Sequence, residues 1–132
     1  MKLYLPEAGS REVVRVIEGR ADVIVSDLAL TELASALGRR VRQGDLTRDD
    51  ALRAQRAITT SIEAAQYQRA ELTREVHRRA EHLLLTMTPT PLRAADALHL
   101  ALAMSARAAS MAVFDARLAG AARAVGFDVY PA

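Results

Sequence analysis

The sequence predicts an α/β fold, a three-layer α/β/α sandwich built on a parallel β-sheet. Short apolar, β-branched runs alternate along the chain with longer segments of helical periodicity, which is typical of a parallel sheet covered by helices on both faces. The runs are continuously apolar, as strands buried on both faces are. The 132 residues contain no linker, internal repeat or low-complexity tract, so we expect a single domain over 1–132.

The first elements follow from turn residues and apolar patterning. Residues 1–10 contain Pro6 and Gly9 and are predicted to form a short helical stub that runs into a turn. A helical stripe follows over 11–19. Residues 22–26, DVIVS, are predicted to be a buried strand because the run is short, apolar and β-branched. No strand is predicted before the helical stub.

The middle of the chain is predicted to be mainly helical. Helices are expected over 27–43, 47–65 and 73–87, because each begins at a Ser, Thr or Asp that can cap its first turn and continues with an apolar stripe. A glycine follows the first of these helices, as is common at helix C-termini. The segment 67–72, YQRAEL, is predicted to be a strand between the second and third helices.

The last part of the chain alternates again. A helix is predicted over 91–107, with a threonine cap before it and a proline at its first position. The apolar run 110–115, SMAVFD, is predicted to be a strand, and a helix over 117–125 ends at Gly126. FDVY, residues 127–130, forms the last predicted strand.

Composition limits the possible chemistry. The chain has no cysteine, which excludes disulfides, thiolate zinc sites and a cysteine nucleophile and is consistent with a reducing compartment. No apolar stretch approaches the length that spans a bilayer, and no signal peptide is apparent, so we expect a cytoplasmic protein without a membrane partner. The formal net charge is +2, and Lys2 is the single lysine. Arginine suits bidentate contacts to phosphate, so RNA is a permitted partner.

Three acids stand in apolar segments or at a strand end. Glu32 lies among leucines and alanines in its predicted helix, Asp96 lies in the second turn of PLRAADALHLALA, and Asp115 ends the 110–115 strand. Ligands bind at the carboxyl ends of parallel strands, so the three carboxylates are expected to converge, within about 8 Å of one another if they share one hydrated Mg²⁺. Oxygen ligands suit Mg²⁺ or Mn²⁺, as in a metal-dependent phosphodiesterase. His99, three residues after Asp96, is a packed histidine or a support for this site.

Each acid also has a purely structural explanation. Asp96 lies near a positive helix end and three residues after an arginine. Glu32 can pair with Arg39 or Arg15, and Asp115 can cap the last helix. A receiver domain or a haloacid-dehalogenase-like phosphatase also places acids at strand ends, but the acidic pair that either needs after its first strand is absent. The spacing alone leaves the metal site and the structural explanations open.

Four segments in this order resemble the PIN domain, and specifically the VapC-type toxins of bacterial toxin–antitoxin pairs: KLYLPEAGS, VSDLALTELASALGRRVRQGDL, PLRAADALHLALA and VFDARLAGAARAVGFDV. The resemblance covers nearly the whole chain. It implies that Glu32, Asp96 and Asp115 are ligands of a Mg²⁺ or Mn²⁺ site and that the protein is an endoribonuclease that cleaves single-stranded or looped RNA.

The chain departs from the family pattern at two points. The family begins with a strand that ends in Asp and a small hydroxyl residue, whereas Met1 aligns within the helix that follows. The first strand and the leading acid are therefore expected to be missing. The family's hydroxyl residue two positions before the last acid is replaced here by Val113. The alternative function is therefore a PIN-like binding module with impaired catalysis.

Two surfaces are candidates for partner binding. The arginines in 39–42 could contact RNA phosphate or an acidic partner, or could form a solvated face. Residues 3–5, with Leu30 and Leu33, are predicted to form an apolar groove for a partner helix. The resemblance implies that this helix is the tail of an antitoxin, and we also expect a homodimer to cover apolar surface near residues 3–5 and 28–37.

Overall fold

A computed structural model describes residues 1–8 and 11–130 of the chain. Within these residues, five strands form one sheet: β1 (Leu3–Leu5), β2 (Val23–Ser26), β3 (Gln68–Ala70), β4 (Ser110–Ala112) and β5 (Asp128–Tyr130). The same residues contain six helices: α1 (Arg11–Ile17), α2 (Asp27–Arg42), α3 (Arg48–Ala64), α4 (Arg74–Thr86), α5 (Ala94–Ser105) and α6 (Ala116–Ala124). The predicted turn at Gly9 lies outside the described residues.

The sheet is parallel throughout, in the order β3-β2-β1-β4-β5. Tyr4 of β1 is in register with Ile24 on one side and with Met111 on the other. The chain moves outward from β1 to β2 and β3 and then returns to the opposite side of β1 for β4. This reversal beside the central strand is where parallel α/β sheets commonly bind ligands. The predicted α/β/α class is confirmed.

The first residues are where the sequence interpretation was wrong. Leu3–Leu5 form the central strand, whereas a helical stub and a missing first strand were expected. Leu3, Tyr4 and Leu5 are 0%, 0% and 2% exposed, because β1 is covered on both faces and pairs along both edges. A short apolar run fits a buried strand and a buried helix equally well, and only its long-range pairing separates the two.

Side chains of the strands alternate between two apolar layers. Tyr4, Ile24 and Met111 belong to the layer that α4, α5 and α6 cover. Leu3, Leu5, Val23 and Val25 belong to the opposite layer, to which Val13 of α1 and Ile62 of α3 contribute. The period of two along each strand therefore divides the core into the two halves of a sandwich.

Helices α2, α3 and α4 begin where their capping residues predict. The side chains of Ser26, Thr47 and Thr73 accept hydrogen bonds from Ala29 N, Asp50 N and Val76 N, at 3.0, 3.1 and 3.2 Å. Such caps satisfy amide donors that the helix leaves without partners.

The predicted bounds of 91–107 and 110–115 are too wide. Helix α5 begins at Ala94, with Arg93 rather than Thr90 as its N-cap, because the Asp96 carboxylate accepts the Arg93 N–H at 3.0 Å and fixes the first turn there. Asp96 therefore lies in the first turn, not the second. Strand β4 ends at Ala112. Among the described residues, no helix is both long enough and apolar enough to cross a membrane.

Candidate active site at the carboxyl edge of the sheet

A cavity of about 320 Å³ lies at the carboxyl edge of the sheet, beside the point where the strand order reverses. Its wall is built from residues that follow β1 and β4 and from the beginnings of α2 and α5. Three predicted site residues line this cavity: Glu32, Asp96 and Asp115. Parallel strands direct their carboxyl ends to the same edge, which explains how distant segments contribute to one cavity.

Glu32 lies in the second turn of α2 and contacts a histidine rather than an arginine. Its Oε1 atom is hydrogen-bonded to Nε2 of His99, which α5 contributes. The Glu32 side chain is 44% exposed and the His99 side chain is 5% exposed. His99 therefore belongs to the buried core, whereas Glu32 is accessible from the cavity. The predicted alternatives, Arg39 and Arg15, form no ion pair with Glu32 in the part of the chain that the structure describes.

Asp96 is the most buried of the three acids, with a side chain that is 11% exposed. One of its oxygens, Oδ2, accepts the Arg93 N–H, and the same oxygen lies 3.2 Å from Nε of Arg117 in α6. The Arg117 Nε is buried and lacks a hydrogen-bond partner within 1–8 and 11–130, so this contact is an ion pair without hydrogen-bond alignment. Among the described residues, Asp96 thus has its ion pair with Arg117, a residue that the sequence did not single out.

Asp115 is the N-cap of α6. Its Oδ2 atom accepts the Leu118 N–H at 3.0 Å, which is the capping explanation that the sequence offered as an alternative. Asp115 also lines the cavity together with its neighbours Val113 and Phe114. Phe114 is 37% exposed, so a partly accessible aromatic residue lies beside the acids.

The cavity also contains a fourth acid that the sequence analysis did not single out. Pro6 and Glu7 come directly after β1 and line the same wall. Glu7 is exposed and forms no hydrogen bond or ion pair with another described residue. The assignment of β1 as a strand is the signal that would have found it, because acids after the central strand of a parallel sheet face the ligand edge.

Behind Glu32, a chain of buried polar groups extends into the sheet. The Tyr4 hydroxyl lies 2.8 Å from Nδ1 of His99 and 3.0 Å from Oγ of Ser26. Ser26 is 0% exposed and also accepts the Ala29 N–H. Burial raises the pKa of the Tyr4 hydroxyl above its usual value, so Tyr4 retains its proton at physiological pH.

The carboxylate oxygens in the cavity are chemically suited to bind a hard divalent cation. Carboxylate oxygens are the ligands that Mg²⁺ and Mn²⁺ prefer, and Mg²⁺ needs only one or two of them beside water and phosphate. The acids do not form a closed cage, since no three His, Asp or Glu side chains in the described ranges are grouped to hold a metal ion. The three predicted acids instead each use one oxygen for a protein partner, and among the described residues Glu32 Oε2, Asp96 Oδ1 and Asp115 Oδ1 have none.

The apolar groove predicted around residues 3–5 does not exist in that form. Leu3–Leu5 are buried within the sheet, and Leu33 lines the acidic cavity. Leu5 lines an apolar cavity of about 270 Å³ where α1 and α3 meet, whose wall also includes Ile17, Ile58 and Ile62. The arginines in 39–42 are exposed.

Comparisons with known proteins agree on the class of the chain. The family model described as the PIN domain matches residues 1–124. Among solved structures, the chain is similar to Mycobacterium tuberculosis VapC20, a sarcin-ricin loop cleaving toxin, with a TM-score of 0.68 and 17% sequence identity over 96% of each chain. A comparison with curated protein sequences gave no match.

Proposed function

The chain belongs to the PIN domain family, and on that premise we propose that it is a metal-dependent endoribonuclease toxin, cytoplasmic and paired with an antitoxin. The observation on which this proposal depends is the shared cavity lined by Glu32, Asp96 and Asp115. Acids gathered at a sheet edge repel one another unless a cation compensates them. The fold similarity to VapC20 supports the toxin assignment.

The three acids would hold Mg²⁺ or Mn²⁺ through Glu32 Oε2, Asp96 Oδ1 and Asp115 Oδ1, the oxygens without a partner in the described part of the chain. A bound cation would polarise the scissile phosphate and lower the pKa of the attacking water. The remaining contribution comes from the protein: His99 restrains Glu32, the first turn of α5 restrains Asp96, and the α6 amides restrain Asp115. Glu7 adds negative charge to the same wall.

We propose single-stranded or looped RNA as the substrate. Since VapC20 cleaves the sarcin-ricin loop, a looped substrate is the first to test. Phe114 supports this class, because an exposed aromatic ring beside the reacting phosphate can stack on a base. The basic residues are almost all arginine, which binds phosphate through two parallel hydrogen bonds.

The partners of the proposal are an antitoxin and a second copy of the chain. The apolar cavity between α1 and α3 supports an apolar partner segment, since its wall includes Ile17, Ile58 and Ile62. Val14 is 57% exposed on the same wall, and burial of such apolar surface is the main driving force for association.

A PIN-like binding module with impaired catalysis is the second candidate. Two observations favour it. Asp96 already forms an ion pair with Arg117. Within the described residues, no three His, Asp or Glu side chains are grouped to hold a metal ion. This candidate predicts RNA or antitoxin binding without cleavage.

The deciding experiment measures cleavage of a looped RNA with Mn²⁺, Mg²⁺ or EDTA. Glu32→Gln, Asp96→Asn and Asp115→Asn should each lower the rate by about 10²-fold or more, as loss of a charge-stabilising group does. Asp115→Asn best separates metal binding from fold stability, since Asn caps a helix as well as Asp does. Asp50→Asn, an exposed acid of α3 paired with Arg53, is the control. Cleavage in EDTA, or unchanged rates in all three variants, would refute the metal-dependent nuclease; binding without cleavage would support the second candidate.

A further inference from the structure

The buried chain Ser26–Tyr4–His99 ends on Glu32, and nothing in the proposed reaction requires the first two of these residues. Tyr4 and Ser26 are 0% exposed and His99 is 4% exposed. Buried polar groups are costly unless each has a partner. An all-apolar core would fill the same space, so the hydrogen bonds of these groups are the property that they add beside Glu32.

The hydrogen bonds fix which nitrogen of His99 faces the cavity with a proton. If Tyr4 donates to Nδ1, a neutral imidazole must carry its proton on Nε2. If Tyr4 donates to Ser26 instead, Nδ1 donates to the Tyr4 oxygen. In both arrangements the Glu32 carboxylate can only accept, so Nε2 is the donor of their hydrogen bond.

The ring of His99 is also held in place by packing. Tyr4 and His99 are in an edge-to-face contact, with ring centroids 5.9 Å apart and an interplanar angle of 65°. The two rings come from the central strand and from α5, two elements of the same apolar layer. The imidazole is therefore buried and has a contact on each side, with the Tyr4 ring and with Glu32.

We propose that His99, oriented by Tyr4 and Ser26, is a positioning residue that holds one oxygen of Glu32 and leaves the other for a divalent cation. This inference rests on the proposed function, since it assigns the cation to Glu32. A carboxylate at the end of a flexible side chain loses rotamer freedom when it binds, and an existing hydrogen bond to Oε1 removes part of that cost in advance. Partners of ligating groups commonly change metal affinity by about 10- to 100-fold when they are mutated.

The first test measures Mn²⁺ affinity without RNA, by isothermal titration calorimetry. His99→Leu removes the donor, whereas His99→Gln keeps an amide N–H that can reach the carboxylate. We expect His99→Leu to weaken Mn²⁺ binding by about 10-fold or more, and His99→Gln to restore most of that loss. Equal Mn²⁺ affinity in the parent chain, His99→Leu and His99→Gln would overturn the positioning role. Glu32→Gln separates the positioning role of His99 from the metal site itself. If Glu32→Gln binds Mn²⁺ as tightly as the parent chain, the proposed metal site is overturned.

The second test requires neither metal nor an altered His99. Long-range ¹H–¹⁵N correlation spectra distinguish a ring proton on Nε2 from one on Nδ1, and His77 and His82 on α4 provide exposed reference signals. We expect a proton on Nε2 of His99 in the parent chain and a change of that signal in Tyr4→Phe, which removes only a hydroxyl. Tyr130→Phe, at an exposed tyrosine of β5, is the matched control. A neutral His99 that carries its proton on Nδ1 would overturn the proposal even if His99→Leu fails to fold.

Discussion

Replacement of Arg117 by methionine tests how Asp96 is stabilised in the absence of metal. Methionine keeps much of the length and apolar packing of arginine and removes its charge. The Arg117 Nε lies 3.2 Å from Asp96 Oδ2, and the Coulomb attraction at that distance is about 5 kcal/mol for an effective dielectric constant of 20. Desolvation offsets most of this gross attraction.

The net effect is bounded by the exposure of the two side chains. Loss of one partner from a fully buried pair costs about 3–5 kcal/mol, and exposed pairs contribute about 0–1 kcal/mol. The Asp96 side chain is 11% exposed and that of Arg117 is 32% exposed, and the Arg93 N–H remains on Asp96 in the variant. We therefore expect Arg117→Met to lower the free energy of unfolding by about 1–2 kcal/mol.

The assay is urea unfolding followed by circular dichroism, with and without Mn²⁺. Arg123→Met, at an exposed arginine of the same helix, is the control and should change stability by less than about 0.5 kcal/mol. In the double variant with Asp96→Asn, the cost of Arg117→Met should largely disappear. Removal of the competing cation should also tighten Mn²⁺ binding roughly 3- to 10-fold. Equal stability of the two arginine variants, with unchanged Mn²⁺ affinity, would refute the reasoning.

Two further predictions concern pH and substrate binding. The hydrogen-bonded Arg20 guanidinium lowers the pKa of the Asp22 carboxyl from 3.8 to about 2, so Asp22 stabilises the fold above pH 4 and loses this contribution as the pH falls toward 2. Asp22→Asn should therefore lower the free energy of unfolding by at most about 1 kcal/mol at pH 7, since the Arg20–Asp22 pair is partly exposed. The difference in urea midpoint between the parent chain and Asp22→Asn should be smaller at pH 3, and an equal difference at pH 7 and pH 3 would contradict this prediction. Phe114→Ala should weaken binding of a short single-stranded RNA in EDTA by about 5-fold or more, because stacking contributes about 1–3 kcal/mol per base. Phe114→Tyr keeps an aromatic ring and should bind about as tightly as the parent chain. Equal affinities of all three proteins, measured by fluorescence anisotropy, would exclude stacking on Phe114.

The sequence by itself determined the order of the elements and the types of most of them. Helices α2, α3 and α4 could be predicted because their caps are local: Ser26, Thr47 and Thr73 bond to amides three residues ahead. The strand DVIVS and the segments that carry Glu32, Asp96 and Asp115 could also be identified, since a short β-branched run and an acid among apolar residues are visible without any fold. These features depend on neighbours in the chain.

Tertiary structure alone decided the identity of the central strand and the partners of the acids. Leu3–Leu5 became a strand because β2 and β4 pair with it from both sides, and no local pattern distinguishes so short a run. Glu32 meets His99 across 67 positions of the chain, and Tyr4 meets His99 across 95. Such contacts depend on the order in which the strands pair, a cooperative property of the whole sheet, so the periodicity of any single segment contains no information about them.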